Sequence, residues 1–176
     1  MKKIVIAAGF AAIASMSATS AMAFDGTVKF TGEILDQACT VDIGTDNTLT
    51  VDLGKVSKTA FTGVGTDAST TKFTIKLKDC PETVTSAKVK FDGVPDTSDS
   101  DLLALDSAAD AASGVAIKLM TADKTALPLH SVNDYSYVLS STSENNLDFY
   151  AAYRSTSATV TAGKANSVAN FTVNYN

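Results

Sequence analysis

The sequence contains no tryptophan, one histidine, two cysteines and three prolines among its 176 residues. The absence of tryptophan excludes the buried tryptophan that antibody-type immunoglobulin domains carry in their core. The single histidine, His130, stands close to Ser131 and Asp134. A catalytic triad needs a geometry that sequence neighbours rarely provide. We therefore interpret His130 as a solvated or edge histidine, and we expect no catalytic site.

Long apolar runs are confined to the N-terminus. Lys2 and Lys3 precede an apolar run over residues 4–13, and the Ala-Met-Ala of residues 21–23 supplies the small side chains that a signal peptidase accepts. This pattern predicts a cleaved signal peptide over residues 1–23, because the run is too short for a membrane anchor. No second run of spanning length follows. We therefore expect an exported mature chain without membrane insertion.

Basic residues are scarce relative to acidic ones. Without Lys2 and Lys3 the number of basic residues falls from 14 to 12, against 19 acidic residues, which gives a net charge of −7. This balance argues against nucleic acid or an anionic membrane surface as a partner. Asp96, Asp99 and Asp101 lack the spacing and the central glycine of an EF-hand. They predict a solvated acidic loop, with no metal and no cofactor.

The two cysteines, Cys39 and Cys80, belong to a chain predicted to be exported. An oxidising compartment makes a disulfide the expected state of such a pair. Closing the intervening loop contributes about 4 kcal/mol on the chain-entropy estimate.

The remaining sequence shows the period-two alternation that is typical of half-buried strands. Phe73, Ile75 and Leu77 alternate with lysine and threonine and give the strongest signal. Further main strands are predicted around Cys39 and over residues 88–91, 115–119, 147–153 and 169–175. Shorter candidates are residues 49–53, 102–105 and 135–139, while residues 107–113 are expected to form a loop. Six main strands, with no long helical pattern and no repeat, predict an all-β, antiparallel, immunoglobulin-like sandwich one strand short of the usual seven.

An unusual stripe follows the predicted signal. Val28, Phe30, Gly32 and Ile34 share one face of an extended strand, whereas from Leu35 onwards the apolar residues have the opposite parity. A slip of one residue moves every side chain to the other face of a strand. The two stretches are therefore predicted to serve two different cores, which suggests that the first strand is made for a neighbouring molecule.

These features together resemble the chaperone–usher pilins, close to the type 1 fimbrial major subunits. Residues 26–34 resemble the N-terminal extension of that family, and the segments around Cys39 and Cys80 resemble its cysteine segments. The C-terminal part of the chain resembles the C-terminal signature of that family at Gly163, Phe171, Val173 and the penultimate Tyr175.

The resemblance implies a fold that lacks its final strand and is completed by donor-strand exchange. It implies a domain organisation of signal peptide (1–23), donor-strand extension (24–34) and pilin domain (35–176). Val28, Phe30, Gly32 and Ile34 would be the donor residues. Gly163, Phe171, Val173 and Tyr175 would form the groove edge that the chaperone contacts.

The implied partners are other pilin subunits, a periplasmic chaperone and an outer-membrane usher, and the implied location is a fimbria on the bacterial surface. The expected function is that of a structural subunit supporting adhesion, without enzymatic activity. The extension ahead of Cys39 is short for a major subunit, so a minor or tip-proximal subunit that binds a host receptor is the alternative. A self-contained periplasmic sandwich is the rival from another class.

Overall fold

The computed structural model describes residues 25–32, 34, 37–44 and 46–176. The chain separates into two units, Met1–Ile34 and Leu35–Asn176. The predicted signal peptide, and Leu35 at the start of the second stripe, lie outside the described residues.

The described residues of the second unit form seven strands in two antiparallel sheets. In chain order the strands are β1 (Thr40–Asp42), β2 (Asp67–Lys78), β3 (Ser86–Gly93), β4 (Val115–Met120), β5 (Tyr137–Val138), β6 (Asn145–Ser155) and β7 (Ala169–Tyr175), with a 3₁₀ turn at Lys58–Ala60. One sheet has the order β1-β2-β6-β4 and the other the order β5-β3-β7. The predicted all-β antiparallel class and the six main strands are confirmed, and β5 adds a seventh, short strand.

Strand β2 shows how the alternation in the sequence produces a two-faced strand. Ile75 and Leu77 are buried, while the intervening lysines stay exposed on the outer face. There Lys72 pairs with Asp148 at 2.7 Å and Lys76 with Glu144 at 3.0 Å. Exposed pairs of this kind contribute little to stability. The strand is therefore held mainly by its buried side.

The core is closed by aromatic contacts between the two sheets. The ring centroid of Phe149 in β6 lies 5.3 Å from that of Phe91 in β3, in an edge-to-face contact. It lies 5.5 Å from the ring centroid of Phe73 in β2, in a stacked contact. Tyr137 of β5 contacts the Phe149 ring at 5.3 Å. Aromatic pairs in these arrangements contribute about 0.5–1.5 kcal/mol beyond their buried area. Phe149 is therefore the central side chain between the sheets.

Two of the shorter predicted strands do not form, so those predictions are wrong. Residues 49–53 pair with no strand among the described residues, and Asp52 Oδ1 accepts a bond from the Gly54 N–H at 2.8 Å in a turn that ends the run. In residues 102–105 only Leu103 makes bridges, to Pro95 and Ile117, because the chain curls back through a bond from the Asp96 N–H to the Leu102 carbonyl. The loop predicted over residues 107–113 is confirmed.

A disulfide joins Cys39 to Cys80 and so ties the beginning of β1 to the end of β2. Asn145, which is buried, donates from Nδ2 to the Cys80 Sγ at 3.4 Å and accepts the Ser140 N–H at 2.6 Å. A buried amide must have such partners, since an unsatisfied polar group costs about 1–3 kcal/mol. Asn145 therefore links the turn before β6 to the disulfide. The disulfide predicted from the sequence is confirmed.

Candidate functional site

The inner face of β7 is covered less completely than that of any neighbouring strand. Its odd-numbered residues Ala169, Phe171, Val173 and Tyr175 all pack against the core, yet each is only half-buried. Val89 on the paired strand β3 is fully buried, and the Phe91 side chain retains 5% of its exposure. Apolar side chains normally lose this exposure inside a sandwich. The half-buried row marks one wall of an apolar groove.

The same residues of β7 carry an unpaired backbone edge. Ser86 and Asn176 exchange two backbone hydrogen bonds, at 3.0 and 3.3 Å. Bonded and non-bonded residue pairs alternate along an antiparallel ladder. The even-numbered residues of β7 therefore direct their N–H and C=O groups to β3, and the odd-numbered ones direct theirs outward. Within the described residues no other strand pairs with that outer edge.

The edges of the neighbouring strands are covered. Leu103 exchanges backbone hydrogen bonds with Ile117 of β4, at 2.8 and 2.9 Å. On the edge of β3 opposite β7, the His130 N–H donates to the Phe91 carbonyl at 2.8 Å. The Leu139 N–H donates to the carbonyl of Thr85, just before β3, at 2.9 Å. Proteins usually protect sheet edges by such loops or by keeping edge strands very short, as β1 and β5 are. The seven-residue edge of β7 has no such cover within the described residues.

The opposite wall of the groove is formed by the segment that follows Cys39. Its half-buried apolar residues pack against the same core cluster; they are Val41, Ile43, Val51, Val56 and Phe61. Among the described residues of 46–56, no backbone group bonds to another backbone group. Both walls therefore combine incompletely buried apolar side chains with unpaired backbone.

The two walls meet at one end of the groove. There the Tyr175 hydroxyl donates to the Cys39 carbonyl at 3.5 Å. Ahead of the start of β7, the Tyr153 hydroxyl of β6 donates to the Ala165 carbonyl at 3.1 Å. Burial raises the pKa of Tyr175, and burial followed by the charge of Asp52 raises the pKa of Tyr153.

The predicted donor residues lie in the other unit and are strongly exposed. Val28 is 75% exposed, Phe30 is 92% exposed and Ile34 is 96% exposed. A Cβ atom added at Gly32 would meet no heavy atom within 4 Å. Large apolar side chains exposed side by side mark an interaction surface. These residues therefore form an apolar stripe that remains unburied in the single chain.

Gly163 lies apart from the β7 residues with which the sequence grouped it. A Cβ at this position would approach backbone atoms of Ala111 and Ala112 to 2.4 Å. The neighbouring Lys164 N–H donates to the Asp110 carbonyl at 2.8 Å, so two chain segments cross here. Only glycine permits such a close approach. The structure thus gives Gly163 a packing role, while Phe171, Val173 and Tyr175 lie together on the groove wall.

His130 takes part in an exposed ion cluster. Its Nδ1 lies 3.0 Å from Asp92 Oδ1, and Lys90 Nζ lies 2.9 Å from the other Asp92 oxygen. Lys90 first, and His130 second, lower the pKa of Asp92. In the acidic loop, Asp96 Oδ1 accepts backbone N–H groups from Ser98 and Asp99, an ordinary turn. Over the residues that the structure describes, no group of three His, Cys, Asp or Glu side chains could hold a metal ion.

The family profile described as fimbrial protein matches residues 28–176. The chain therefore belongs to the fimbrial protein family. It is 39% identical to a probable major fimbrial subunit, LpfA, of Escherichia coli O157:H7, over 99% of this chain and 97% of that protein. It is 38% identical to the long polar fimbria protein A of Salmonella typhimurium, with the same coverage.

Solved structures of fimbrial subunits are also similar to this chain. The crystal structure of the P pilus rod subunit PapA matches with a TM-score of 0.64 and 25% identity, over 80% of this chain and 100% of that one. An antigen and type I fimbria protein of Burkholderia pseudomallei matches with a TM-score of 0.61 and 34% identity, over 80% and 91% of the two chains.

The chain is a structural subunit of a chaperone–usher fimbria, which polymerises with other pilin subunits and is exported to the bacterial surface. Its family is one of structural pilins, not a class of enzymes. Among the described residues, no helix has the length and apolar character needed to cross a bilayer.

Sequence reasoning missed the second groove wall. The alternation of Leu49, Val51 and Leu53 is the local signal for it, but alternation alone predicts a strand and does not indicate a groove wall. Tyr153 was also missed, because nothing local shows that its hydroxyl reaches the Ala165 carbonyl.

Proposed function

We propose that the subunits polymerise by donor-strand exchange, in which residues 24–34 of one subunit occupy the groove of the next. The observation that carries this proposal is the match between two incomplete surfaces. One is the open edge and half-buried row of β7, and the other is the exposed stripe of Val28, Phe30 and Ile34. Chaperone–pilin complementation is itself a recognised instance of this kind of strand addition.

The energetics favour insertion. Full burial of an apolar side chain of this size is worth about 1.5–3 kcal/mol, and the stripe has three of them. The odd-numbered backbone groups of β7 would gain partners, and each hydrogen bond adds about 0.5–1.5 kcal/mol net. An inserted strand would also cover the half-buried residues of β7.

The proposal includes the export route. Residues 1–23 would act as the signal peptide and residues 35–176 as the pilin domain. A periplasmic chaperone would cover the groove first, at Phe171, Val173 and Tyr175, and an outer-membrane usher would direct the exchange. An uncovered apolar groove in the periplasm would otherwise aggregate. The subunit acts as a polymer unit, with no catalytic step.

A pair of single substitutions tests the exchange. Phe30→Asp places a charge on the stripe and is expected to leave a subunit that can accept a strand but cannot donate one. Val173→Asp places a charge on the groove wall and is expected to leave a subunit that can donate but not accept. Each variant alone should give cells without fimbriae in electron micrographs. Co-expression should give a discrete heterodimer and no filaments.

Matched controls lie one residue away. Thr31 and Thr172 point to the opposite face of their strands, so Thr31→Asp and Thr172→Asp should assemble filaments. Normal filaments from Phe30→Asp alone would overturn the exchange. Equal loss of assembly in Thr31→Asp would also contradict it, because the defect would then not follow the apolar face.

A further inference from the structure

We infer that successive subunits of the fimbria contact each other through a second surface, apart from the donated strand. On the accepting subunit this surface is an exposed valine pair, Val94 and Val168. Its partner is the end of the donating subunit that carries Val138. The inference rests on the proposed function, because the donated strand is what brings the two subunits together.

The valine pair lies on the outer face of the sheet that contains β3 and β7. Gly93 and Ala169 are the last paired residues of these two strands, and Val94 and Val168 occupy the next position along the ladder. Val94 is 71% exposed and Val168 is 72% exposed. Single exposed apolar residues are common on protein surfaces, but neighbouring ones mark an interaction surface. The valine pair is therefore a candidate contact.

Backbone contacts hold both valines in place. The Val94 carbonyl accepts the Ala104 N–H at 2.8 Å. The hydroxyl of Ser167, which adjoins Val168, donates to the Ala104 carbonyl at 2.5 Å. A surface that is already ordered loses little conformational entropy when a partner covers it. The valine pair is thus ordered before any contact forms.

The groove is joined at one end only. At the Tyr175 end, the hydroxyl donates to the Cys39 carbonyl at 3.5 Å. At the Ala169 end, no hydrogen bond among the described residues joins the two walls. A donated strand continues into the body of its own subunit, so it must leave the groove where the chain can pass. That place is the Ala169 end, directly beside Val168.

The connection between the donated strand and its own body is short. Ile34 is the last residue of the apolar stripe, and five residues separate it from Thr40, where β1 begins. Even a fully extended connection keeps these two residues within about 20 Å of each other, at about 3.3–3.6 Å for each residue. The end of the donating subunit at which β1 begins must therefore lie close to the valine pair of the accepting subunit.

That end of the donating subunit carries an exposed apolar side chain of its own. Ser86 is paired with Val138 of β5, and it exchanges backbone hydrogen bonds with Asn176, the neighbour of Tyr175. Val138 therefore lies at the same end of the sheet as the bond between Tyr175 and Cys39. It is 88% exposed. Head-to-tail subunits would thus bring Val138 of one towards the valine pair of the next.

The contact would determine the stiffness of the fimbria. If the donated strand were the only contact, residues 35–39 would act as a hinge, because a few loop residues can absorb large changes in backbone angles. An apolar contact beside the hinge would restrict the bending between subunits. The inference therefore predicts that the valines affect how the filament bends and not whether it forms.

Charged substitutions on both sides of the contact test this prediction. Val94→Glu/Val168→Glu should still give filaments, but their persistence length in electron micrographs should fall. Val138→Glu should give the same loss of stiffness, because it places a charge on the other side of the contact.

A matched control lies on the loop after His130. Val132 is 54% exposed, and the side chain of the next residue, Asn133, donates from Nδ2 to the Val89 carbonyl near the middle of β3. Val132 is therefore distant from both ends of the sheet. Val132→Glu should leave the persistence length unchanged. An equal loss of stiffness in this control, or unchanged stiffness in Val94→Glu/Val168→Glu, would overturn the inference.

A charge pair tests the partner directly. Val168→Glu/Val138→Lys should recover stiffness that Val168→Glu loses, since the two new charges would face each other across the contact. Absence of recovery would overturn the assignment of Val138 as the partner.

Two further results separate this contact from the exchange. If Val168→Glu prevents assembly because it adjoins the groove, Val94→Glu alone decides by the same measurement, since β3 lies one strand further from the open edge. Failure of the exchange itself would be recognised differently, by normal filaments from Phe30→Asp.

Discussion

The hydroxyl of Tyr175, near the end of β7, donates to the carbonyl oxygen of Cys39, just before β1, at 3.5 Å. This bond joins the two groove walls at the point where the disulfide fixes Cys39 to the end of β2. The width of the groove at this end is therefore set by one aromatic side chain and one covalent bond.

Tyr175→Phe is expected to weaken the subunit by about 1 kcal/mol, the net value of a hydrogen bond. Tyr175→Ala should weaken it more, by about 2 kcal/mol, because the ring also packs against the core and is half-buried. The measurement is the urea concentration at which subunits dissociate from purified fimbriae. Equal midpoints for the two variants would show that the ring does not contribute to the wall.

Removal of the disulfide by Cys39→Ser/Cys80→Ser should cost about 4 kcal/mol on the loop-closure estimate. Asn145 would also lose its contact with the Cys80 sulfur. We expect immunoblots to show little subunit in the periplasm and electron micrographs to show no fimbriae. Asn145→Ala, which keeps the disulfide, should give a smaller loss. Normal fimbriae in the double variant would contradict the expectation.

Gly32→Leu should prevent filament formation, since a glycine within a strand marks close approach of another backbone, and the added side chain would obstruct the proposed insertion. Gly26→Leu is the matched control, because residue 26 precedes the apolar stripe that begins at Val28. Filament number and length on cells provide the readout. Filaments of ordinary length from Gly32→Leu would refute the close approach at this position.

Gly163→Ala should reduce the amount of folded subunit, because its Cβ would collide with the backbone of Ala111 and Ala112. Ala162→Ser, at the exposed neighbouring position, is the control and should behave as the wild type. Protease resistance of the periplasmic subunit distinguishes the two. A fully resistant Gly163→Ala subunit that still fails to assemble would instead indicate the chaperone contact predicted from the sequence.

Three of the five tyrosines, Tyr137, Tyr153 and Tyr175, have a pKa raised first of all by burial. Their phenols ionise near pH 10 in an unfolded chain and later in the folded one. The stability from burying them is thus present below pH 10 and falls as pH rises further. Tyr137→Phe should remove one late-titrating phenol from the ultraviolet titration of fimbriae. An unchanged late phase would contradict this assignment.

The sequence was sufficient for features that depend on local alternation. Strands β2, β3, β4, β6 and β7 were predicted because each has one buried and one exposed face. It was insufficient where pairing depends on distant partners. Residues 49–53 alternate like a paired strand, but they pair with no strand in the described part of the chain, and only tertiary contacts decide that.

The candidate site was predictable to a similar extent. The apolar residues of β7 and of the extension follow from parity alone. The crossing at Gly163 and the bonds of Tyr153 and Tyr175 do not, since each joins segments far apart in the chain.

The open edge of β7 has a consequence for the shape of the polymer. In the proposed exchange, a subunit with one receptive edge and one donating arm would accept one neighbour and reach one neighbour. Head-to-tail contacts of this type do not close on themselves by symmetry, so they produce open filaments. Such a thread is unbranched and has two unlike tips, one with a vacant groove and one with a spare arm. Growth at the two tips therefore requires different machinery.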